Sequence, residues 1–224
     1  MYRQFYREGI CEIDFGDEVL DAILQNILNN DCKKDFNLIT KYHGTFDLRP
    51  DTLSYDEAFI DALKKHDIKR QIKNITFKDY SLFHVQVRVV NNNMSYMDWH
   101  RDTYYDKHGN LVGKEPHGLK LIYYPSFTEE QEDRLLYLLG SNRILFPTNG
   151  PDQQLFKLLK VKKIKSNNQK AILFDVNGLH AVCPEQQGKQ SVRLIYSFLN
   201  KRQILDDHGD DDLHMRAMSM YEEL

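Results

Sequence analysis

Two histidines, an aspartate and an arginine carry the chemistry of this chain. His100 and Asp102 stand two apart in Trp99-His100-Arg101-Asp102-Thr103-Tyr104-Tyr105. Far downstream lie Gly178-Leu179-His180 and then Ser191-Val192-Arg193. On a strand, residues two apart project from the same face. His100 and Asp102 are therefore expected to point together, with His180 arriving from a later strand. Two imidazoles and one carboxylate form the facial donor set of non-haem Fe(II), which leaves coordination positions open. Arg193 has the fork geometry that holds a carboxylate-bearing cosubstrate, and Ser191 shares its face. An Arg inside Val192-Arg193-Leu194-Ile195-Tyr196 is costly to bury without a partner.

The His-x-Asp spacing alone carries little weight. With nine histidines in the chain, about one such pair is expected by chance. His208-Gly209-Asp210 is a second match, in a Gly/Asp-rich tail without strand character. Context separates the two. Aromatic residues flank His100 and Asp102, an apolar strand precedes them, and His180 and Arg193 follow on separate strands. Tyr104 shares the phase of His100 and Asp102 and is the expected substrate contact. Arg88, with His84, either lines the pocket or faces solvent.

The elements that must position these residues change character along the chain. Before residue 80 the pattern is helical. Val19, Leu20, Ile23, Leu24, Ile27 and Leu28 recur at helical spacing behind Asp17, a candidate cap. Ser54-Tyr55-Asp56-Glu57 has capping-box form ahead of Ala58, Phe59, Ala62 and Leu63. From Ser81 the period becomes two, with Phe83, Val85, Val87 and Val89 alternating with His84, Gln86 and Arg88. Further strands are expected over 99–105, 119–124, 143–146, 159–164, 171–176, 179–183 and 192–199. Residues 129–139 fit a helix start or a buried strand equally. Short strands with turn signals between them argue for a sandwich or barrel.

The segment from Leu82 to Phe198 resembles the phytanoyl-CoA dioxygenase-like branch of the Fe(II)/2-oxoglutarate-dependent oxygenases. The resemblance rests on Trp99-His100-Arg101-Asp102 with Tyr104-Tyr105, on Leu139-Gly140-Ser141, on Lys170 to Asp175 leading to Leu179-His180, and on Ser191-Val192-Arg193. It implies a double-stranded β-helix (jelly-roll) core, mainly β, with flanking N-terminal helices. It carries iron onto His100, Asp102 and His180, and the far carboxylate of 2-oxoglutarate onto Arg193, with Ser191 and Gln86 as helpers. It also implies use of O2, with succinate and CO2 as coproducts of an oxidation, most simply a hydroxylation, of a small molecule. Two features depart from the family pattern. Asn142 stands where the loop usually has His, and the interval from His180 to Arg193 is long. Asp102 is retained, unlike in the related halogenases, where a small residue takes its place.

Bulk properties narrow the classes. The 224 residues are expected to form one domain: a helical layer over 1–80, a jelly-roll core over 81–200 and an acidic extension over 201–224. The net charge of −3 gives no electrostatic reason to expect nucleic acid or an anionic membrane. No long apolar run or signal-like N-terminus is present, and three cysteines fit reduced thiols in the cytoplasm. The residues leave two alternatives open: a jelly-roll module that binds a sugar or small ligand without turnover, and an oxygenase acting on a protein.

Overall fold

The computed structural model of the chain describes residues 2–29, 36–42, 45–50, 53–91, 99–102, 118–128, 133–144, 153–164, 170–184 and 190–200. The expectations for Tyr104 and for the acidic extension lie outside these residues, as does His208-Gly209-Asp210.

The elements run α1 (Tyr2–Glu8), β1 (Ile10–Asp14), α2 (Glu18–Asn29), β2 (Phe36–Tyr42), β3 (Thr45–Pro50), α3 (Leu53–Lys65), α4 (Ile68–Thr76), β4 (Tyr80–Asn91), β5 (Gly118–Tyr123), β6 (Asp133–Leu138), α5 (Gln153–Leu158), β7 (Val161–Ile164), β8 (Lys170–Asp175), β9 (His180–Pro184) and β10 (Gln190–Asn200). One sheet has seven strands in the order β1-β8-β5-β10-β4-β3-β2, the other three in the order β7-β6-β9. Every pairing is antiparallel. This is the mainly β, jelly-roll-type core with flanking helices that the sequence led us to expect.

Strand alternation divides the core into two layers. On β10, Val192, Leu194, Tyr196 and Phe198 face a cluster that includes Leu20, Leu24, Phe59, Leu63, Ile68 and Ile72 from α2, α3 and α4. The opposite phase places Ile195 with Ile122, Leu135, Tyr137, Ile172, Phe174 and Val182 between the two sheets. Helices therefore cover the outside of the large sheet, and the interior between the sheets is left to the odd-numbered positions of β10. The alternation within β4 is interrupted. A register shift between Ser197 and Phe198 pairs these with His84 and Leu82, so Leu82 joins the face of Val85 and Val87.

Local chemistry fixes the helical layer. Asp17 Oδ1 accepts hydrogen bonds from the Val19 and Leu20 amides, capping α2, and its Oδ2 meets Lys65 Nζ of α3 at 2.9 Å. Asp21 of the same helix accepts from Tyr123 Oη and Ser126 Oγ, both at 2.5 Å, tying α2 to the end of β5.

Several boundaries differ from the sequence reading. α3 begins at Leu53, ahead of the capping-box serine, so Ser54 lies inside the helix. Among the described residues before β4, the strands β1, β2 and β3 run between the helices, because β1 adds to the large sheet beside β8, β3 pairs with β4 and β2 pairs with β3. Residues 133–138 are strand, since β7 and β9 flank them on both sides. Arg143 sits in a 3-10 turn, Ser141–Arg143, and not in a strand. Of the expected strand 159–164, the part from Val161 is strand, with α5 before it.

Candidate metal centre

Two peptide segments that are remote in sequence meet at the edge of the small sheet. His100 forms an antiparallel bridge with His180: each backbone amide donates to the other residue's carbonyl at 2.9 Å. The Asp102 amide donates to Val176 O at 3.0 Å. The His-x-Asp segment thus lies beside β9 through an isolated bridge, and the two-residue spacing does the rest. The donor atoms of His100, Asp102 and His180 all lie within 4.8 Å of one another. His100 Nε2 is 3.6 Å from Asp102 Oδ1, and His180 Nε2 is 3.2 Å from Asp102 Oδ2. Among the described residues this is the group of three His, Cys, Asp or Glu side chains arranged to hold a metal ion.

The surroundings set the state of each donor. His180 is buried, and its Nδ1 lies 2.9 Å from Gly178 O. A carbonyl there requires a proton on Nδ1, which leaves the Nε2 lone pair for a metal. Phe174 packs against the imidazole, ring centres 5.0 Å apart. Burial opposes the charge of Asp102, but Lys120, His180 and His100 outweigh it and hold the carboxyl well below its ordinary range. Asp102 is thus ionised and able to act as an anionic ligand. This donor set, one carboxylate and two imidazoles, fits Fe(II) and related divalent ions.

Arg193 is 2% exposed on the interior face of β10. Arg88 of β4 lies opposite it in register, and Gln86 lies opposite Ile195, so Arg88 and Gln86 share the interior phase and are half-buried there. Ser191 belongs to β10 opposite Val90. Trp99 turns the other way, edge-on to Phe156 at 4.9 Å, as the strand phase requires.

Two residues near the triad were not singled out from the sequence. Lys120 of β5 points between the sheets and places Nζ 2.7 Å from Asp102 Oδ2. Its signal was present: a lone charge in Leu119-Lys120-Leu121-Ile122, a strand otherwise apolar. Arg101, between two of the donors, is 4% exposed and donates from Nη1 to Ser141 O at 3.0 Å and to Asn177 O.

No protein-family model matches the chain, and no curated protein matches it. Solved structures do match its fold. The non-heme alpha-ketoglutarate-dependent epimerase SnoN from nogalamycin biosynthesis superposes with a TM-score of 0.63 at 11% identity, covering 94% of this chain and 90% of that one. EctD from S. alaskensis, solved with 2-oxoglutarate and 5-hydroxyectoine, gives 0.67 at 15% identity, over 92% of this chain and 77% of its own. HygX from Streptomyces hygroscopicus, solved with nickel, 2-oxoglutarate and hygromycin B, gives 0.57 at 11% identity, over 90% and 88%. At such identities the likeness is one of fold. No helix among the described residues is long and apolar enough to cross a membrane.

Proposed function

We propose that this chain is a non-haem Fe(II)- and 2-oxoglutarate-dependent oxygenase of the phytanoyl-CoA dioxygenase-like kind, and that it hydroxylates a small molecule in the cytoplasm. The observation that carries the reading is the closure of His100, Asp102 and His180 to within 4.8 Å on a jelly-roll interior. Support also comes from matched structures solved with iron, nickel or 2-oxoglutarate and small molecules such as nogalamycin RO and hygromycin B. SnoN covers 94% of the chain, which favours one oxygenase domain.

His100, Asp102 and His180 would hold the ion, and Arg193 would hold the far carboxylate of 2-oxoglutarate, with Ser191 and Gln86 beside it. When bound, iron and 2-oxoglutarate supply O2-dependent oxidation of a C–H bond. The residues of this chain bind and orient. Gly178 O keeps the proton of His180 on Nδ1, Phe174 shields that ring from water, and the strand alternation keeps Arg193 on the interior side. Tyr104 and Arg88 would meet the substrate.

The test is direct. Protein supplied with Fe(II), 2-oxoglutarate and O2 should release succinate, slowly without substrate and faster when a screened metabolite is accepted. His100→Ala and Asp102→Ala should abolish metal binding. Arg193→Met should leave metal binding in place and weaken 2-oxoglutarate by about ten- to a hundred-fold, the worth of one lost charge-assisted pair. Wild type that binds Fe(II) and 2-oxoglutarate no better than the alanine variants would sink the reading.

One observation favours a second reading. Lys120 Nζ sits on Asp102 Oδ2 and neutralises it without any metal, as in a jelly-roll module that binds a small ligand and turns nothing over. Metal-independent ligand binding by equilibrium dialysis would favour that reading.

A further inference from the structure

Arg101 stands between two donors of the triad, and strand alternation turns its side chain away from them. It is 4% exposed. Burying a guanidinium costs several kcal/mol unless its partners compensate, so the partners define what the residue does. Nη1 bridges two backbone carbonyls. Ser141 O belongs to the 3-10 turn after β6, and Asn177 O to the turn between β8 and β9. Both turns grip His180. Ser141 Oγ accepts from the Leu179 amide at 2.8 Å while donating to Leu138 O at 2.6 Å. Gly178 O receives His180 Nδ1. The Asn177 amide in turn donates to Asp175 Oδ1 at 2.9 Å, and Asn142 Nδ2 donates to Asp175 Oδ2 at 3.1 Å. One guanidinium thus joins the segment bearing His100 and Asp102 to the two turns that fix the orientation of His180.

We propose that Arg101 is a positioning residue for the metal centre: by bridging Ser141 O and Asn177 O it locks the turn before His180 onto the His100–Asp102 segment and so sets the spacing of the three donors. This rests on the reading of the triad as a metal site. The hydrogen bonds of Nη1 go to backbone carbonyls of the two turns, and through them Arg101 acts on the donors. Lysine keeps the charge, but its freely rotating ammonium lacks the fixed in-plane directions in which the two N–H bonds of Nη1 point at the two carbonyls.

The experiment uses the full chain and Co(II), with affinity read by calorimetry and donor geometry by the visible ligand-field spectrum. Arg101→Met should weaken Co(II) about 10–100-fold, the range for groups that orient metal ligands, and should alter the spectrum. Arg101→Lys should fall between wild type and Arg101→Met. Phe59→Leu, in the helical layer remote from the triad, controls for lost stability. It should lower the melting temperature and leave the affinity within about two-fold of wild type. An Arg101→Met protein that binds Co(II) within about two-fold of wild type with an unchanged spectrum overturns the proposal. So does equal loss of affinity in Phe59→Leu and Arg101→Met at matched melting temperature. If Arg101→Met does not fold, Arg101→Lys decides by the same criterion. A wild type that binds no Co(II) at all instead removes the metal-site reading, and the proposal falls with it.

Discussion

Gly178→Ala tests whether the turn before His180 is packed as tightly as the structure shows. A Cβ at Gly178 would lie 1.8 Å from Tyr137 Oη, 2.2 Å from its Cζ and 2.8 Å from its Cε2. Gly178 shows no left-handed φ among the described glycines, so the conflict is one of space and not of backbone conformation. Tyr137 cannot swing clear. It is fully buried, its ring meets Phe174 edge-on at 5.9 Å, and its hydroxyl donates to Asp175 O at 3.1 Å. Relief requires the ring or the turn to retreat by roughly 1.5 Å. Overpacking of this kind costs about 1–3 kcal/mol, and loss of the Tyr137 hydrogen bond adds about 1 kcal/mol. The expected destabilisation is about 2–4 kcal/mol, or a melting temperature lower by about 4–16 °C for a chain of this size. Urea denaturation of the metal-free protein measures it. Tyr137→Phe should not rescue, since Cζ remains in the way. In a Tyr137→Leu background, which removes the ring, the added alanine should cost less than about 1 kcal/mol, and a double-mutant cycle reads that coupling. A Gly178→Ala protein as stable as wild type, or equal costs in both backgrounds, would refute the packing argument. The same variant should bind Co(II) more weakly, because Gly178 O orients His180.

Further outcomes follow from the buried titratable groups. Burial pushes the Asp175 carboxyl up from its ordinary 3.8 to about 6, against the hydrogen bonds from Asn177 and Asn142 and the charge of Arg101. The folded state therefore holds that proton more tightly than the unfolded state. Its stabilising contribution is complete below about pH 4 and is lost as pH rises through about 6, a fall of about 3 kcal/mol at most. In metal-free Asp175→Asn this decline should vanish from a urea-denaturation series between pH 4 and pH 8, and an unchanged slope would contradict the assignment. The Cys11 thiol, buried in β1, is pushed up to about 12 by desolvation. It should resist a thiol reagent at pH 8 in the native protein and react on unfolding, as read by peptide mass; prompt native labelling of Cys11 would count against its burial.

Much of the fold could be read from local pattern, and where it could not, the reason is physical. The α2 helix announces itself through the spacing of Leu20, Leu24 and Ile27 and through Asp17, which caps it. β8 and β10 announce themselves through apolar runs and alternation. Residues 133–138 were ambiguous because a short apolar run looks alike in a helix and in a buried strand; pairing with β7 and β9 decides it. β1 was missed because five residues following a helix carry no period of their own, and its strand state comes from β8. Arg143 to Phe146 has the composition of a strand, yet Gly140, with φ at +81°, turns the chain into a 3-10 segment at Ser141–Arg143.

The candidate site divides along the same line. Sequence alone supplied the donor types, the two-residue spacing that puts His100 and Asp102 on one face, and the suggestion that His180 and Arg193 belong with them. Spacing is a local property, and the backbone period converts it into direction. The structure decided what spacing cannot express. His100 and His180 face each other through two backbone hydrogen bonds across 80 residues of chain, Lys120 reaches Asp102 from the opposite sheet, and Arg101 binds carbonyls of two separate turns. Each of these depends on register between strands and on the seam between two sheets. Both are set by hydrogen bonds and packing among residues distant in sequence, so no window of the sequence contains them.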